Sequence, residues 1–526
     1  MKRHTHVLAA AICATALALT AGACSASDDA LAAGTGGAGS SGVSPADDGP
    51  AADGGTLRIG LDRPFPRLDP AETALTSEPM MVLANALYDP LMVNGDNGTV
   101  QPYLAKAFTP NTDATAWTLQ LRADVKFSDG KPLDAQAVID HVTRLAKPES
   151  KCSCATDAAA IAAMKADAPD TVVFTLKSPN SAFPSAFTRS LGYVSEAPGP
   201  DGTAIGSGPY TLARSQTGVS AELTRNPAYW GDKGHADKLD YRVLPDTDSR
   251  YQSLRSGDTD VIWAESPAQF KQAGADGLRV AAGPGSTSTV LVNTKAAPFD
   301  DVRVRQAMQY AIDRDAVEKV VYLGQGRTAD SPIGSHSAYR TTATGSGYPA
   351  HDPAKAKQLL AEAGNPQISF EYLVDSRPEG QQRATVLQQM LGEAGIKMTI
   401  KPVDNATLGS AMMQRSFQVM DFVTSMYGDT DTAISSLFTS KSPMNFTGYA
   451  NPAVDQAVAR GRAALDPAER AAAYNDAATR IVADAPTLLL TENTVGLLAS
   501  PKVGGLSDLS KRTVISVSPA HLWLKK

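Results

Sequence analysis

The chain reads as a mixed α/β protein of two or three domains. Strand and helix signals alternate along it, and Ile368–Val374, a helix around Gln381–Glu393 and Ile396–Val403 form a strand-helix-strand succession. The body from Thr56 to Lys526 is too long for one simple core. A composition of 43% hydrophobic and 20% charged residues suits a globule in water, and no internal repeat is visible.

Each element has its own signal. Lys2 and Arg3, the apolar run Val7–Leu19 and the small residues Ala21-Gly22-Ala23 have the layout of a secretory signal over residues 1–23, too short to span a membrane. With Cys24 following, the segment resembles a bacterial lipobox, Ala21 standing where Leu is usual. The resemblance implies that the Cys24 sulfur is acylated and heads the mature chain. Two or three acyl chains anchor a protein stably, each buried methylene contributing about 0.8 kcal/mol. The protein is therefore expected outside the cytoplasm, anchored by lipid to the outer face of the cell membrane. Residues 24–55, nearly all Ala, Gly, Ser, Asp and Pro, read as a flexible tether with a reach of roughly 30 Å.

Leu57–Gly60 reads as an opening strand. Trp117, Leu119 and Leu121, then Val125 and Phe127, alternate with polar residues and predict a hairpin ending in the Ser128-Asp129-Gly130 turn. Thr171–Leu176 is a further strand. Asp352-Pro353, Asn451-Pro452 and Asp466-Pro467 each set a capping residue before a helix-opening proline. After Asp352, Leu359, Leu360 and Ala363 recur at helical spacing until Gly364 stops the run.

Formal charge is −7, and becomes −9 once Lys2 and Arg3 leave with the signal. No basic patch stands out, which argues against a nucleic-acid partner. Cys152 and Cys154 are the cysteines left after the signal and the lipid site. Outside the cell a leftover pair is normally a disulfide, yet one intervening residue makes a demanding ring, and both states stay open. No His or second Cys pair lies nearby, so no metal is expected there. There is no Gly-x-Ser-x-Gly, no His-Glu-x-x-His and no phosphate loop. Neither catalytic residues nor a cofactor are expected, and the chain is not read as an enzyme.

Five segments carry a family likeness. They are Leu119–Arg122 with Val125–Leu133; Gly206–Tyr210 with Arg225–Trp230; Asn293 with Pro298–Ala307 and Ala311–Arg314; Asp352–Gly364; and Tyr449–Asp455 with Glu469-Arg470. Read in order, the chain resembles solute-binding protein family 5, the extracytoplasmic receptors of peptide and nickel ABC importers. The resemblance implies a two-lobed, periplasmic-binding-protein-like α/β fold with an extra inserted domain and a ligand cleft between the lobes. Residues 56–99, 205–294 and 494–526 are expected in lobe I, 100–204 in the inserted domain and 295–493 in lobe II. Arg303, Arg305, Asp313 and Arg314 read as helix charges pairing with neighbouring loops.

In peptide-binding members of the family, an Asp in a "W..D" element pairs with the ligand's α-amino group. Met426-Tyr427-Gly428-Asp429 occupies that place. Asp429 matches the acid, Asp431 stands beside it, and Met426 replaces the Trp with Tyr427 adjacent. A buried ammonium needs a carboxylate; the alternative for Asp429 is a helix cap or solvated turn. As an acid lining an open cleft, Asp429 would add little to ligand-free stability. Asp62, Arg63 and Phe65 are expected on the facing lobe, Trp263 as an apolar wall or a core residue, and Arg189 as a partner for a ligand carboxylate. The implied partners are a peptide bound as an added strand, the ABC permease and, through the lipid, the membrane; the receptor itself is expected to be a monomer. The same fold serves nickel chelates, oligosaccharides and signalling peptides, and those readings stay open.

Overall fold

The structure, a computed structural model, describes residues 42–43, 48–506 and 518–526, except positions 66, 73, 74, 76, 96, 97, 148, 149, 151, 153, 199–201, 365, 366 and 426–428. The signal segment and Cys24 therefore lie outside the described residues. Chain contacts separate Met1–Gly36 from Gly37–Lys526, and every described residue belongs to the second of these units. No helix among the described residues is long and apolar enough to cross a membrane.

One large sheet organises the body. Its main path runs Lys397–Val403, Ser369–Asp375, Val419–Ser425, Arg279–Val292, Thr487–Ala499, Val261–Ala264, Thr56–Leu61, Lys238–Val243, Ser220–Arg225 and Tyr210–Gln216. Arg279–Val292 and Thr487–Ala499 are long enough to serve both ends. Arg279 to Pro284 pair with Ala499 to Thr494; the register then breaks, and Thr287 to Leu291 pair with Glu492 to Thr487. Val419–Ser425 joins only past the break, from Ser286 onward. Val261–Ala264 joins only before it, on Gly496–Ala499.

The break has a local cause. Pro284 has no N–H to give the ladder. The strands also approach so closely that a Cβ on Gly285 would sit 2.4 Å from Val495, and one on Gly496 would sit 2.2 Å from the Ala281 carbonyl oxygen. The lobe boundary expected at 294/295 falls beyond the end of this strand, whereas the change of partners falls inside it.

Separate cores form on either side of the break. The first packs Leu57, Ile59 and Leu61 with Trp263, Val495, Leu497 and Leu522. The second packs Val290, Val292 and Phe299 with Tyr372, Leu387, Leu488 and Leu490. A third body is the four-stranded sheet Ala105–Pro110, Ala116–Leu121, Thr171–Leu176, Ile161–Ala168. It is filled by Phe108, Trp117, Phe174, Phe183 and Phe187, whose rings lie 5.1–6.4 Å apart. Such edge-on contacts add to the area the rings bury.

Two sequence expectations need correction. The hairpin over 117–127 does not form, because Ala116–Leu121 pairs with Ala105–Pro110 and Thr171–Leu176 instead. Val125 and Phe127 are buried beside a tight turn in which Phe127 N–H donates to the Lys131 carbonyl at 2.9 Å. The tether expected over 24–55 is docked where it is described. Gly42–Val43 pairs with Ala281–Ala282, Asp48 meets the buried Arg279 at 2.5 Å, and Asp53 meets His235 at 2.7 Å. Backbone pairing needs no apolar side chains, and a buried guanidinium needs a counter-ion.

A buried polar chain links the break to the second core. Asn493 donates to Ser288 Oγ at 3.0 Å, Ser288 Oγ lies 2.7 Å from the Tyr322 hydroxyl, and Arg383 Nη1 donates to that hydroxyl at 2.8 Å. Arg383 grips Asp421 through Nε at 2.9 Å and Nη2 at 2.5 Å, while the Tyr372 hydroxyl donates to Asp421 at 2.9 Å. Removing one partner of such a pair strands the other charge. Asp421→Ala is expected to lose about 3–5 kcal/mol in urea unfolding; a loss below roughly 1 kcal/mol, the scale of an exposed ion pair, would contradict a stranded buried charge.

Candidate ligand site

Parallel pairing brings two strand ends of the first lobe together. Val261 sits opposite Ile59 and Ile262 opposite Gly60, so Asp62 and Arg63 emerge beside Glu265. Arg63 forks onto Asp62, with Nη2 to Oδ2 at 2.6 Å and Nε to Oδ2 at 3.0 Å, and reaches Glu265 at 3.5 Å. The Trp263 indole donates to Glu265 at 3.0 Å. Across the cleft, Ser369–Asp375 ends in an acid, and Arg377 folds back on Asp375 with Nη2 to Oδ2 at 2.8 Å. Glu265 and Arg63 act electrostatically on Arg377 across the gap. The Asp375 hydrogen bonds raise the Arg377 pKa; burial opposes the Arg63 charge, and Asp62 more than offsets it. The two facing strand ends thus carry fixed charges of both signs.

The two acids expected to await an ammonium already hold guanidinium groups. Asp429 caps the helix Thr430–Phe438, its Oδ1 accepting from Asp431 N–H at 2.9 Å. Its Oδ2 accepts from Arg470 Nη2 at 2.9 Å and from the Tyr339 hydroxyl at 3.2 Å. Arg470 also lies over the Tyr339 ring at 4.6 Å. Asp431 accepts from Arg462 Nε at 2.9 Å and Nη2 at 2.8 Å, and from the Tyr474 hydroxyl at 3.2 Å. Asp429 is 6% exposed and Asp431 3%. Burial raises the Asp429 pKa, with Arg470 pulling the other way. The helix Pro467–Asp484, opened by the Asp466 cap, carries Arg470 and Tyr474 one turn apart on the face turned to these acids. Arg470 stands in the family-like Glu469-Arg470 segment and Arg462 in none, and nothing in the sequence joins either arginine to these acids.

Of the other expected residues, Met426 and Tyr427 lie outside the described residues. Phe65 is 1% exposed in the first core, away from any open face, and Trp263, at 2%, joins that core too. Arg189 follows the short turn Phe183–Thr188, and its carbonyl accepts from the N–H of Tyr193 at 3.1 Å, Tyr193 itself packing in the first core. Cys152 and Cys154 are joined as a disulfide. Sequence reasoning missed Glu265, Asp375, Arg377, Arg462 and Asp157, each a charge without a motif.

The second lobe also touches the first lobe and the inserted body directly. Ser181 N–H donates to the Arg462 carbonyl at 2.8 Å and Ser181 Oγ to the Gly461 carbonyl at 3.0 Å. Gly98 faces the 336–338 backbone so closely that a Cβ would lie 2.2 Å from the His336 carbonyl oxygen. Asp157, from the inserted body, feels the charges of Asp431 and Arg462. Burial and then Asp431 push its pKa up to about 6, Arg462 opposing them.

Residues 99–446 match the family model described as bacterial extracellular solute-binding proteins, family 5 middle. The glutathione-binding protein GsiB of Pectobacterium atrosepticum is 29% identical over 436 residues, covering 76% of this chain and 82% of that protein. The nickel-binding periplasmic protein of Escherichia coli is 24% identical over 474 residues, covering 83% and 89%. Among solved structures, the Listeria monocytogenes substrate-binding protein CtaP aligns with a TM-score of 0.79 at 23% identity, covering 90% of this chain and 100% of that one. The Bacillus subtilis oligopeptide-binding protein AppA, solved with a nonapeptide, aligns at 0.75 and 21% identity, covering 91% and 100%. These structural matches carry the two-lobed fold.

The paired acids change what a substitution does. Asp429→Ala leaves Arg470 buried without its anion and removes a helix cap. It is expected to destabilise the ligand-free protein by about 3–5 kcal/mol. An unchanged ligand-free melting temperature would restore the picture of Asp429 as a vacant cleft acid.

Proposed function

The chain belongs to the bacterial extracellular solute-binding proteins of family 5, and from that premise we propose that it captures short peptides outside the cytoplasmic membrane and hands them to an ABC permease. The observation that supports a peptide is the apposition of Asp62, Arg63 and Glu265 to Asp375 and Arg377. A zwitterion with an ammonium at one end and a carboxylate at the other complements a cleft carrying both signs, and charge-assisted hydrogen bonds offset its desolvation. In this reading Arg63 and Arg377 close on the ligand carboxylate from opposite lobes. The glutathione-binding relative and the nonapeptide-bound fold relative agree in ligand class. The nickel-binding relative supplies the competing ligand.

Calorimetry with di-, tri- and tetraalanine, glutathione and a nickel–histidine complex separates these readings. At least one peptide is expected to bind and to raise the melting temperature by mass action, and small-angle scattering is expected to show a smaller radius of gyration as the lobes close. Binding of the nickel complex with no response to any peptide would overturn the peptide reading.

The lipobox-like Ala21-Gly22-Ala23-Cys24 supports an acylated receptor. Cys24→Ala is expected to leave secretion intact and to release the protein from the membrane fraction, because the acyl chains supply the anchoring energy. A variant that stays membrane-bound, with no lipid adduct on the wild type by mass spectrometry, would refute the anchor.

A further inference from the structure

Ser181, buried in a loop of the inserted body, spends both of its donors on the second lobe. Its N–H donates to the Arg462 carbonyl at 2.8 Å and its Oγ to the Gly461 carbonyl at 3.0 Å. Both carbonyls belong to the last turn of the helix Pro452–Ala463. Ala464 N–H closes onto the Arg460 carbonyl at 3.0 Å, and Ala464 then turns extended. The Gly461 and Arg462 carbonyls thus lie past the last intrahelical bond, where a helix needs donors from elsewhere. Ser181 caps this helix from another body.

Its own side of the contact is fixed. Asn180 N–H donates to the Ala114 carbonyl at 3.0 Å, the Asn180 carbonyl accepts from the Trp117 indole at 3.1 Å, and Asn180 Oδ1 accepts from Ala182 N–H at 3.0 Å. Phe183 is buried in the core of the inserted body. That body is tied to the first lobe, because Tyr193 packs in the first core and its hydroxyl donates to Asn85 at 2.6 Å. Gly98, at φ 71° between the strands Met92–Asn94 and Val100–Pro102, makes a second contact with the second lobe. A Cβ there would lie 2.2 Å from the His336 carbonyl oxygen and 2.9 Å from Ala338 N. Both contacts end on residues next to the paired acids. The Arg462 side chain holds Asp431, and Tyr339, just past the segment that Gly98 meets, holds Asp429.

We propose that Ser181 is a positioning residue for ligand capture: it caps the helix Pro452–Ala463 when the lobes close, and so sets the affinity for every ligand without contacting one. In the open form Ser181 and the two carbonyls turn to water. Closing exchanges those bonds for protein bonds, a modest net gain for each. With the open form in the majority, losing one such bond lowers the closed population, and with it the affinity, by about two- to twelvefold. The inference rests on the two-lobed fold and is independent of the peptide reading.

The first test needs no ligand. Thr99→Cys and Ala338→Cys together place thiols beside the Gly98 contact, one on each lobe. A short bismaleimide bridges them in the closed form, so the rate of cross-linking follows the closed population. Adding Ser181→Ala is expected to slow cross-linking by about two- to twelvefold and to leave the ligand-free melting temperature unchanged. Cross-linking at the parent rate would overturn the proposal, as would a parent pair that never cross-links. Should Ser181→Ala fail to fold, Ser181→Gly removes the same hydroxyl and is held to the same outcome. The second test is calorimetry with the alanine peptides, glutathione and the nickel–histidine complex. Each that binds is expected to bind Ser181→Ala more weakly by the same factor, whether or not it is a peptide. Unequal losses would make Ser181 a ligand contact and overturn the latch.

Discussion

Where Pro284 withholds an N–H, two strands change partners together, and the rest of the molecule depends on that exchange. Before the break, Arg279–Val292 and Thr487–Ala499 belong to the sheet of Thr56–Leu61; after it they belong to the sheet of Ser369–Asp375. A cleft needs two bodies joined by few crossings, and here the crossings are strands of a shared sheet. Gly496 is required because a Cβ there would meet the Ala281 backbone, while a Cβ on Gly285 would press into the Val495 side chain. Asn493, Ser288 and Tyr322 then tie the crossing to Arg383 and Asp421, so a hydrogen-bonded polar chain runs from the break into the second core.

The charges around the cleft divide by partner. Asp421, Asp429 and Asp431 are each held by an arginine and a tyrosine, and they shape the second lobe whether or not a ligand is present. Such buried pairs add little net stability over apolar packing, but breaking one is costly. Arg63 and Arg377 are more exposed, each folded onto an acid of its own lobe while sensing the other lobe. The arginines of these pairs are open to water, whereas their acids Asp62 and Asp375 are not, so it is the guanidinium side that a ligand can reach.

What the sequence disclosed was local chemistry. Asp352, Asn451 and Asp466 cap their helices as their proline neighbours predict. The strand-helix-strand of residues 369–403 forms as a parallel pair around a helix. Arg305 of the family motif donates to the Phe299 and Asp484 carbonyls, the structural role read for it. What stayed hidden was pairing across distance. Alternation at Trp117–Leu121 marks a strand without naming its neighbour, so it suggests a hairpin where Thr171–Leu176 is the partner. Asp429 and Arg470 are 41 residues apart in sequence and Asp431 and Arg462 31, and no motif joins them. Phe65 looks available because it follows a strand end, yet the chain turns it into the core.

The docked N-terminal segment sets a frame of reference. Gly42–Val43 pairs with Ala281–Ala282, Asp48 holds Arg279 and Asp53 holds His235, all before the break in the shared sheet. A pull applied to the chain upstream of Gly42 would therefore enter the first lobe, on strand segments before the break, and would bypass the crossing to the second lobe.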